Sequence, residues 1–280
     1  MLLHHFSSQY IRCAITVVCK RQQTDLPSNP AQTTSPSDKM RVFSPLLAFA
    51  ATTLAASVSV TEVANITLAA GGSTKVFEKA SKAFFKAGAL TFRSSRLVEN
   101  NSSLRLFVDW ESIEDSRAFS QTKDYEKMLE KFKPEMALDP VFYHIEFNPS
   151  PPVVLDNDEG KGESPFTEFL NFFFPSGANY TEARKANVTE TVQVILDTYA
   201  PTAPGFTGHT AMGWGLEEIQ YMGAPHRVFS LGVGWETVEA HKQWMTTPAY
   251  AAFLPQLKAL DGLVGIELRH VSNKVVRAKK

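Results

Sequence analysis

The stretch "DWESIEDSRAFSQTKDY" at residues 109–125 returns without a gap as "GWETVEAHKQWMTTPAY" at residues 234–250. Trp110 aligns with Trp235, Glu111 with Glu236, Glu114 with Glu239 and Tyr125 with Tyr250. Ser112/Thr237, Ile113/Val238, Arg117/Lys242 and Phe119/Trp244 are conservative pairs in the same register. Downstream, Tyr125, Met128, Leu129 and Phe132 recur as Tyr250, Phe253, Leu254 and Leu257. That i, i+3, i+4, i+7 spacing buries one face of a helix in both copies. Internal self-similarity outranks every other constraint on this chain.

Each half spells six elements. In the first, "TEVANITLA" is strand-like, "STKVFEKASKAFFKAG" is an amphipathic helix with Ser73 as its predicted N-cap, and "LTFRSSRLVEN" with "SSLRLFVDW" forms a hairpin around the turn "ENNSS". Ser112 opens a second helix, with Asp115 three residues on, and "VFYHIEF" closes the unit as a strand. In the second, "FTEFLNFFFP" is a buried strand, "TEARKANVTETVQVILDTYA" a helix, and "FTGHTAMGWGLEEI" pairs with "HRVFSLGVGW". Thr237 caps the next helix, Pro248 starts another turn behind Thr247, and "LVGIELRHV" ends the unit. The class is α+β, two tandem β-α-β-β-α-β (ferredoxin-like) units. One unit covers a single sheet face with its helices, so two copies bury their bare faces on each other. An intrachain barrel with helices outside follows, and the chain need not dimerise to close it. The predicted organisation is a leader at 1–39, an apolar signal-like segment at 40–59, a first unit at 60–147, an exposed linker at 148–162, a second unit at 163–272 and a basic tail at 273–280.

The Trp-x-Ser/Thr start, the aromatic nine residues after the Trp, the break and the Tyr resemble the antibiotic biosynthesis monooxygenase (ABM) family, of the dimeric α/β-barrel superfamily. The likeness covers roughly residues 60–147 and 163–272. It implies a fold more firmly than a substrate, because that superfamily spans quinol monooxygenases, haem-degrading enzymes, decarboxylases and stress proteins. In haem-degrading relatives the position of Trp244 is a catalytic tryptophan, followed ten residues later by the histidine that ligates iron. This chain has Leu254 and Leu129 at the ligand positions, so no haem is expected. Family enzymes also carry a catalytic asparagine in the first strand, and Asn171 and Asn65 match it here.

The second half is the richer in candidate chemistry. Asn171, His209 and Trp244 are the catalytic candidates, with Trp214, Tyr221, His241 and Tyr250 as an aromatic substrate-binding surround. Histidine suits general-base work near neutral pH. In the first half Phe119 replaces Trp244, Ser116 replaces His241 and nothing matches His209. His144 and His270 align in the closing strands and read as structural imidazoles at the seam, while Trp110 and Trp235 read as corner anchors. The implied reaction is cofactor-independent oxygenation of an aromatic or polyketide-type small molecule. A non-catalytic small-molecule binder or stress-responsive barrel, and a lyase or decarboxylase, remain open alternatives.

Other classes are disfavoured. The net charge of −1 gives no field for a phosphate backbone, so no nucleic-acid partner is expected. Cys13 and Cys19 lie in the first twenty residues, leaving the rest without disulfides, thiolate metal sites or a cysteine nucleophile. No His-x-His or His-x₃-His spacing occurs, and no metal is expected. Residues 21–39 are polar and Pro/Ser-rich, and "MRVFSPLLAFAATTLAASVSV" from Met40 has the layout of a secretory signal peptide. The run is too short and small-residue-rich for a permanent membrane span. Sequons at Asn65, Asn100, Asn101, Asn179 and Asn187 agree with secretion, the alternative being a cytoplasmic protein with a disordered leader.

Overall fold

The computed structural model describes residues 59–177 and 180–277. The expected leader and nearly all of the signal-like segment lie outside them, as do Asn179 and the last three residues. The first half runs β1 (Val60–Thr67), α1 (Lys75–Lys86), β2 (Thr91–Leu97), β3 (Asn100–Trp110), α2 (Ile113–Ser120), α3 (Lys123–Phe132) and β4 (Val141–Asn148). The second runs β5 (Phe166–Pro175), α4 (Glu182–Tyr199), β6 (Phe206–Gly215), β7 (Ile219–Tyr221), β8 (Ala224–Trp235), α5 (Val238–Trp244), α6 (Pro248–Lys258) and β9 (Gly265–Val271), with β10 (Lys274–Arg277) after it.

The strands form one antiparallel sheet in the order β2-β3-β1-β4-β6-β8-β5-β9 that returns to β2 through the pair Leu97–Val271. The result is a closed barrel, and closure leaves no bare inner edge within the ring. The halves join at two seams, β4 on β6 and β9 on β2. Strand alternation sorts the side chains into three buried layers. Phe77, Phe84, Trp110, Phe119 and Phe132 pack the first half's helices onto the outer face, and Leu170, Phe172, Leu231, Trp235, Trp244 and Leu257 do so in the second. Inside the barrel Val63, Phe107 and Tyr143 of one half meet Phe169, Phe173 and Val228 of the other. Phe107 and Phe169 cross edge-to-face at 5.2 Å.

Caps account for the helix starts. The hydroxyls of Ser112, Thr122, Thr237 and Thr247 accept from the backbone N–H three residues on, at 3.0–3.2 Å. The first helix departs from expectation. Its N-cap is Thr74, already in helical conformation, whereas Ser73 accepts from Lys75 N–H just outside and donates its own N–H to Glu135. The predicted strand 206–219 is interrupted at 216–218, where Leu216 N–H bonds His144 O at 2.9 Å. β7 then resumes pairing with β8, and the hairpin closes through Met222 and Gly223, both at positive φ.

The linker was expected to be exposed, and most of it is, but Pro152, Val154, Leu155 and Asn157 are buried. Val154, Leu155 and Asn157 are 1 %, 0 % and 0 % exposed, and the first two join the layer inside the barrel. Asn157 Nδ2 donates to Thr167 Oγ1 and its Oδ1 accepts from Asn273. From the apolar run "PPVVL", Val154 and Leu155 plug the barrel interior and are removed from water despite acidic surroundings, whereas Pro151 and Val153 stay exposed. The basic tail is likewise structured where described, as β10 on β2. Arg277 reaches Asp156, which also meets the buried Arg93 at 2.6 Å, while Arg93 pairs Asp109 at 2.7 Å.

Candidate functional site

The first strands of the two halves share the sequence T-E-x-x-N, Thr61-Glu62-x-x-Asn65 and Thr167-Glu168-x-x-Asn171. Three positions separate each Glu from its Asn, so the two side chains leave opposite faces of the sheet. The asparagines turn into the barrel and the glutamates turn out, beneath the helices. A buried carboxylate is costly unless bonded, and here the corner tryptophans bond it. Trp235 Nε1 donates to Glu168 Oε2 at 3.1 Å, and Trp110 Nε1 donates to Glu62 Oε2 at 3.0 Å.

From Glu168 a line of titratable groups runs to the seam. His241 of α5 is fully buried, with Nε2 3.3 Å from Glu168 Oε2 but outside hydrogen-bond alignment. His241 Nδ1 lies 2.8 Å from His270 Nε2 on β9. His270 Nδ1 meets Glu99, which belongs to the first half's β2–β3 turn and also accepts from His270 N–H at 3.1 Å. The first half mirrors the arrangement. Ser116 Oγ donates to Glu62 at 3.0 Å and lies 2.8 Å from His144 Nε2, and His144 Nδ1 is 3.0 Å from Glu217 of the second half.

The shifted groups are Glu62 and His241 within the two lines and the matching carboxylates Glu99 and Glu217 at their outer ends. Burial raises the Glu62 carboxyl above the ordinary range despite His144, Ser116 and Trp110. Burial lowers the His241 imidazole, against the opposing pull of Glu168. At Glu99 and Glu217 burial pushes upward, but the bonds from the His270 and His144 rings and N–H groups outweigh it and hold both carboxyls low.

Beside Glu168 lies an enclosed cavity of ≈ 10 Å³, room for about one water. Leu170, Leu196, Ala200, Leu231, Val233, Trp235, Trp244, Phe253 and Leu257 form the rest of its wall. The Trp244 indole N–H is buried with no partner among the described residues. Tyr250 stands edge-on to Trp244 at 5.0 Å, its phenol pushed up to about 12 by burial and by Glu168. Glu168, Trp244 and apolar side chains therefore border one small space.

The predicted residues divide between places. Of these, Trp244 lines the cavity, and His241 and Tyr250 pack against the Trp244 ring at 6.2 and 5.0 Å without forming part of the wall. Trp214 is on the same side of the sheet but farther along, donating its N–H to Thr189 at 3.1 Å and packing on Phe174 and Tyr180. Asn171 does not join them. It is 1 % exposed inside the barrel, where its Oδ1 accepts from Ser230 at 2.7 Å and its Nδ2 donates to Tyr143 at 3.0 Å. Tyr221 also faces inward, stacked on Phe173 at 3.8 Å. His209 sits where the β6–β8 register shifts, its side chain one-third exposed and 3.3 Å from Glu163. The single pocket expected for Asn171, His209, Trp214, Tyr221, His241 and Trp244 is thus not formed, because a sheet lies between its members. Asn65, also inward, accepts from Arg105 Nε at 2.7 Å.

Sequence reasoning missed the four glutamates. Glu62 and Glu168 could have been found, since each stands three residues before a matched asparagine and interrupts an apolar strand. Glu99 and Glu217 had no such signal, being turn acids whose partners come from the opposite half. Among the described residues no group of three or more His, Cys, Asp or Glu is arranged to hold a metal, and no helix is long and apolar enough to cross a membrane.

No protein-family profile and no curated protein matches the chain. Among solved structures, an anthrone oxidase-like protein is 12 % identical with a TM-score of 0.54, the match covering 80 % of this chain and 94 % of that one. A candidate monooxygenase from Lactobacillus acidophilus is 11 % identical at a TM-score of 0.48, over 79 % and 97 % of the two chains. A candidate antibiotic biosynthesis monooxygenase from Bordetella bronchiseptica is 23 % identical at 0.30, over 31 % and 93 %. Such identities speak to fold alone. With its closed antiparallel barrel and outer helices, the chain has the dimeric α/β-barrel fold of the ABM-like proteins, both units being supplied by one polypeptide.

Proposed function

We propose that the second half is a cofactor-independent monooxygenase-type site for an aromatic or polyketide-type small molecule. The observation that carries this reading is that Glu168 and Trp244, whose indole N–H has no partner among the described residues, both border one apolar cavity. Glu168 takes the proton of a phenolic or enolic hydroxyl, and the Trp244 N–H stabilises the oxyanion left behind. The anion passes one electron to O₂, and the radical pair recombines to a carbon–peroxide bond. The peroxide anion then breaks its O–O bond, the hydrogen on its carbon leaving with the outer oxygen as hydroxide, which gives the quinone. The hydroxide combines with the proton released at the start to make the water. A dry apolar wall keeps the anion from reprotonation by solvent.

A second reading, a non-catalytic binder or stress-responsive barrel whose pocket is filled by its own side chains, is supported by the cavity's size. Room for one water admits no aromatic ring unless α4 and α6 part, since Leu196, Phe253 and Leu257 form the wall. The test is oxygen uptake with an anthrone as probe, together with quenching of tryptophan emission by the same compound. The enzyme reading expects uptake that Glu168→Gln cuts by roughly 10²-fold while quenching persists. Quenching with no uptake leaves the binder, and neither signal removes both readings for this class of ligand.

We further propose a secreted, glycosylated monomer. Of the sequon asparagines, Asn100, Asn101 and Asn187 are exposed, whereas Asn65 is half-buried and bonded to Arg105. Intact mass before and after glycosidase treatment, with the N-terminus, tests it. Protein retaining residues 1–56 without glycans would rule it out.

A further inference from the structure

We propose that Glu168, His241, His270 and Glu99 form a proton relay that carries the proton taken in the cavity outward to the seam. The first half thereby supplies the relay's terminal charge to the second half's site. The inference rests on the site reading above.

The hydrogen-bond inventory supports it. Glu99 accepts from the His270 N–H and faces its Nδ1, so the neutral ring carries its proton on Nδ1 and leaves Nε2 free to accept. His241 then donates through Nδ1, 2.8 Å away, and its own Nε2 is bare. That Nε2 has no hydrogen-bond partner among the described residues and lies 3.3 Å from Glu168, a contact that a proton on either group would relieve. A proton arriving on Glu168 therefore faces a vacant lone pair. It passes to His241 Nε2, the Nδ1 proton passes to His270 Nε2, and the imidazolium formed at His270 rests against the ionised Glu99. Glu168 is restored as a base, and each transfer runs between neighbouring groups.

The other groups facing this line are Trp235, which only donates to Glu168, Tyr250, whose phenol stays neutral, and Lys242 on α5, which opposes charge on His241. None offers a competing exit. Glu99 is a positioning residue, acting on the cavity only through His270, His241 and Glu168.

Two measurements test the relay. In anthrone turnover, Glu99→Gln keeps an acceptor for His270 but removes the charge, and is expected to lower kcat by about tenfold with KM unchanged. Its pH–kcat profile should move as well. Glu217→Gln, the same change at the other seam, should leave kcat within about twofold. Equal losses from both, or a change in KM alone, would show a structural role and overturn the relay. The second measurement needs no substrate. Long-range ¹H–¹⁵N spectra of wild type should show His241 protonated on Nδ1 and His270 on Nδ1, with the two rings responding to pH together. Glu99→Gln should uncouple them. The opposite tautomer on His241, or rings that respond independently in wild type, overturns the relay whatever the turnover result. If anthrone is not turned over, the enzyme reading falls, and the spectra decide the relay alone.

Discussion

The two halves place a glutamate on the outer face of their first strand, tie it to an indole N–H, and lead from it to a histidine held by the other half's carboxylate. They differ at one link. Ser116 bridges Glu62 to His144 in the first half, whereas His241 stands between Glu168 and His270 in the second. A hydroxyl makes both bonds in a short span and leaves nothing unsatisfied. An imidazole fills a longer gap, carries a titratable proton of its own, and stands beside a cavity with an orphan donor. The difference shows how a repeated unit keeps one framework while a single side chain, Ser116 or His241, changes the groups that link glutamate to histidine.

The largest effect should fall on what the halves share. Trp110→Ala and Trp235→Ala each remove a fully buried ring and orphan a buried carboxylate. Each is expected to cost about 3–5 kcal/mol, similarly in both halves, by denaturant unfolding. A cost confined to one half would break the comparison, since the corner would then be structural in one copy only.

A smaller effect sharpens it. Asn171→Ala leaves the Tyr143 and Ser230 hydroxyls short of a partner, and Asn65→Ala leaves the buried Arg105 short of an acceptor. Both should lose about 1–3 kcal/mol of stability. Neither should change turnover more than about threefold, because both side chains point away from the cavity. Strong loss of turnover from Asn171→Ala alone would return that residue to the site.

The smallest is a pH effect. Glu99 and Glu217 are held low, so the stability they contribute is present above the unfolded carboxylate range and lost as pH falls through their folded values. Glu99→Gln and Glu217→Gln should both flatten the acid limb of the Tm profile. Glu62 has the opposite sign. Its folded value is raised, so its contribution is present at acid pH and lost as pH rises through that value. Glu62→Gln should therefore raise Tm more on the alkaline side than the acid side, and a uniform shift across pH would contradict the assignment.

Periodicity and repetition were enough to determine the element order, the pairing of copies and the need for a second sheet to cover the first, because these follow from side chains spaced along one chain. The repeat also singled out Trp110, Trp235, His144 and His270, and the corner and seam placements read for them match their positions in the fold. What the tertiary structure alone decided is which side of the sheet each candidate meets. Asn171 and Trp244 lie 73 positions apart, on different elements, so no local spacing says that β5 itself separates them. The plug at Val154 and Leu155 was hidden for a related reason, since its burial depends on the empty barrel end made by strands distant in sequence. Glu99 and Glu217 were the least legible of all. A turn acid becomes a partner for a buried histidine only when the opposite half arrives beside it, and that proximity is a property of the closed barrel rather than of either stretch of chain.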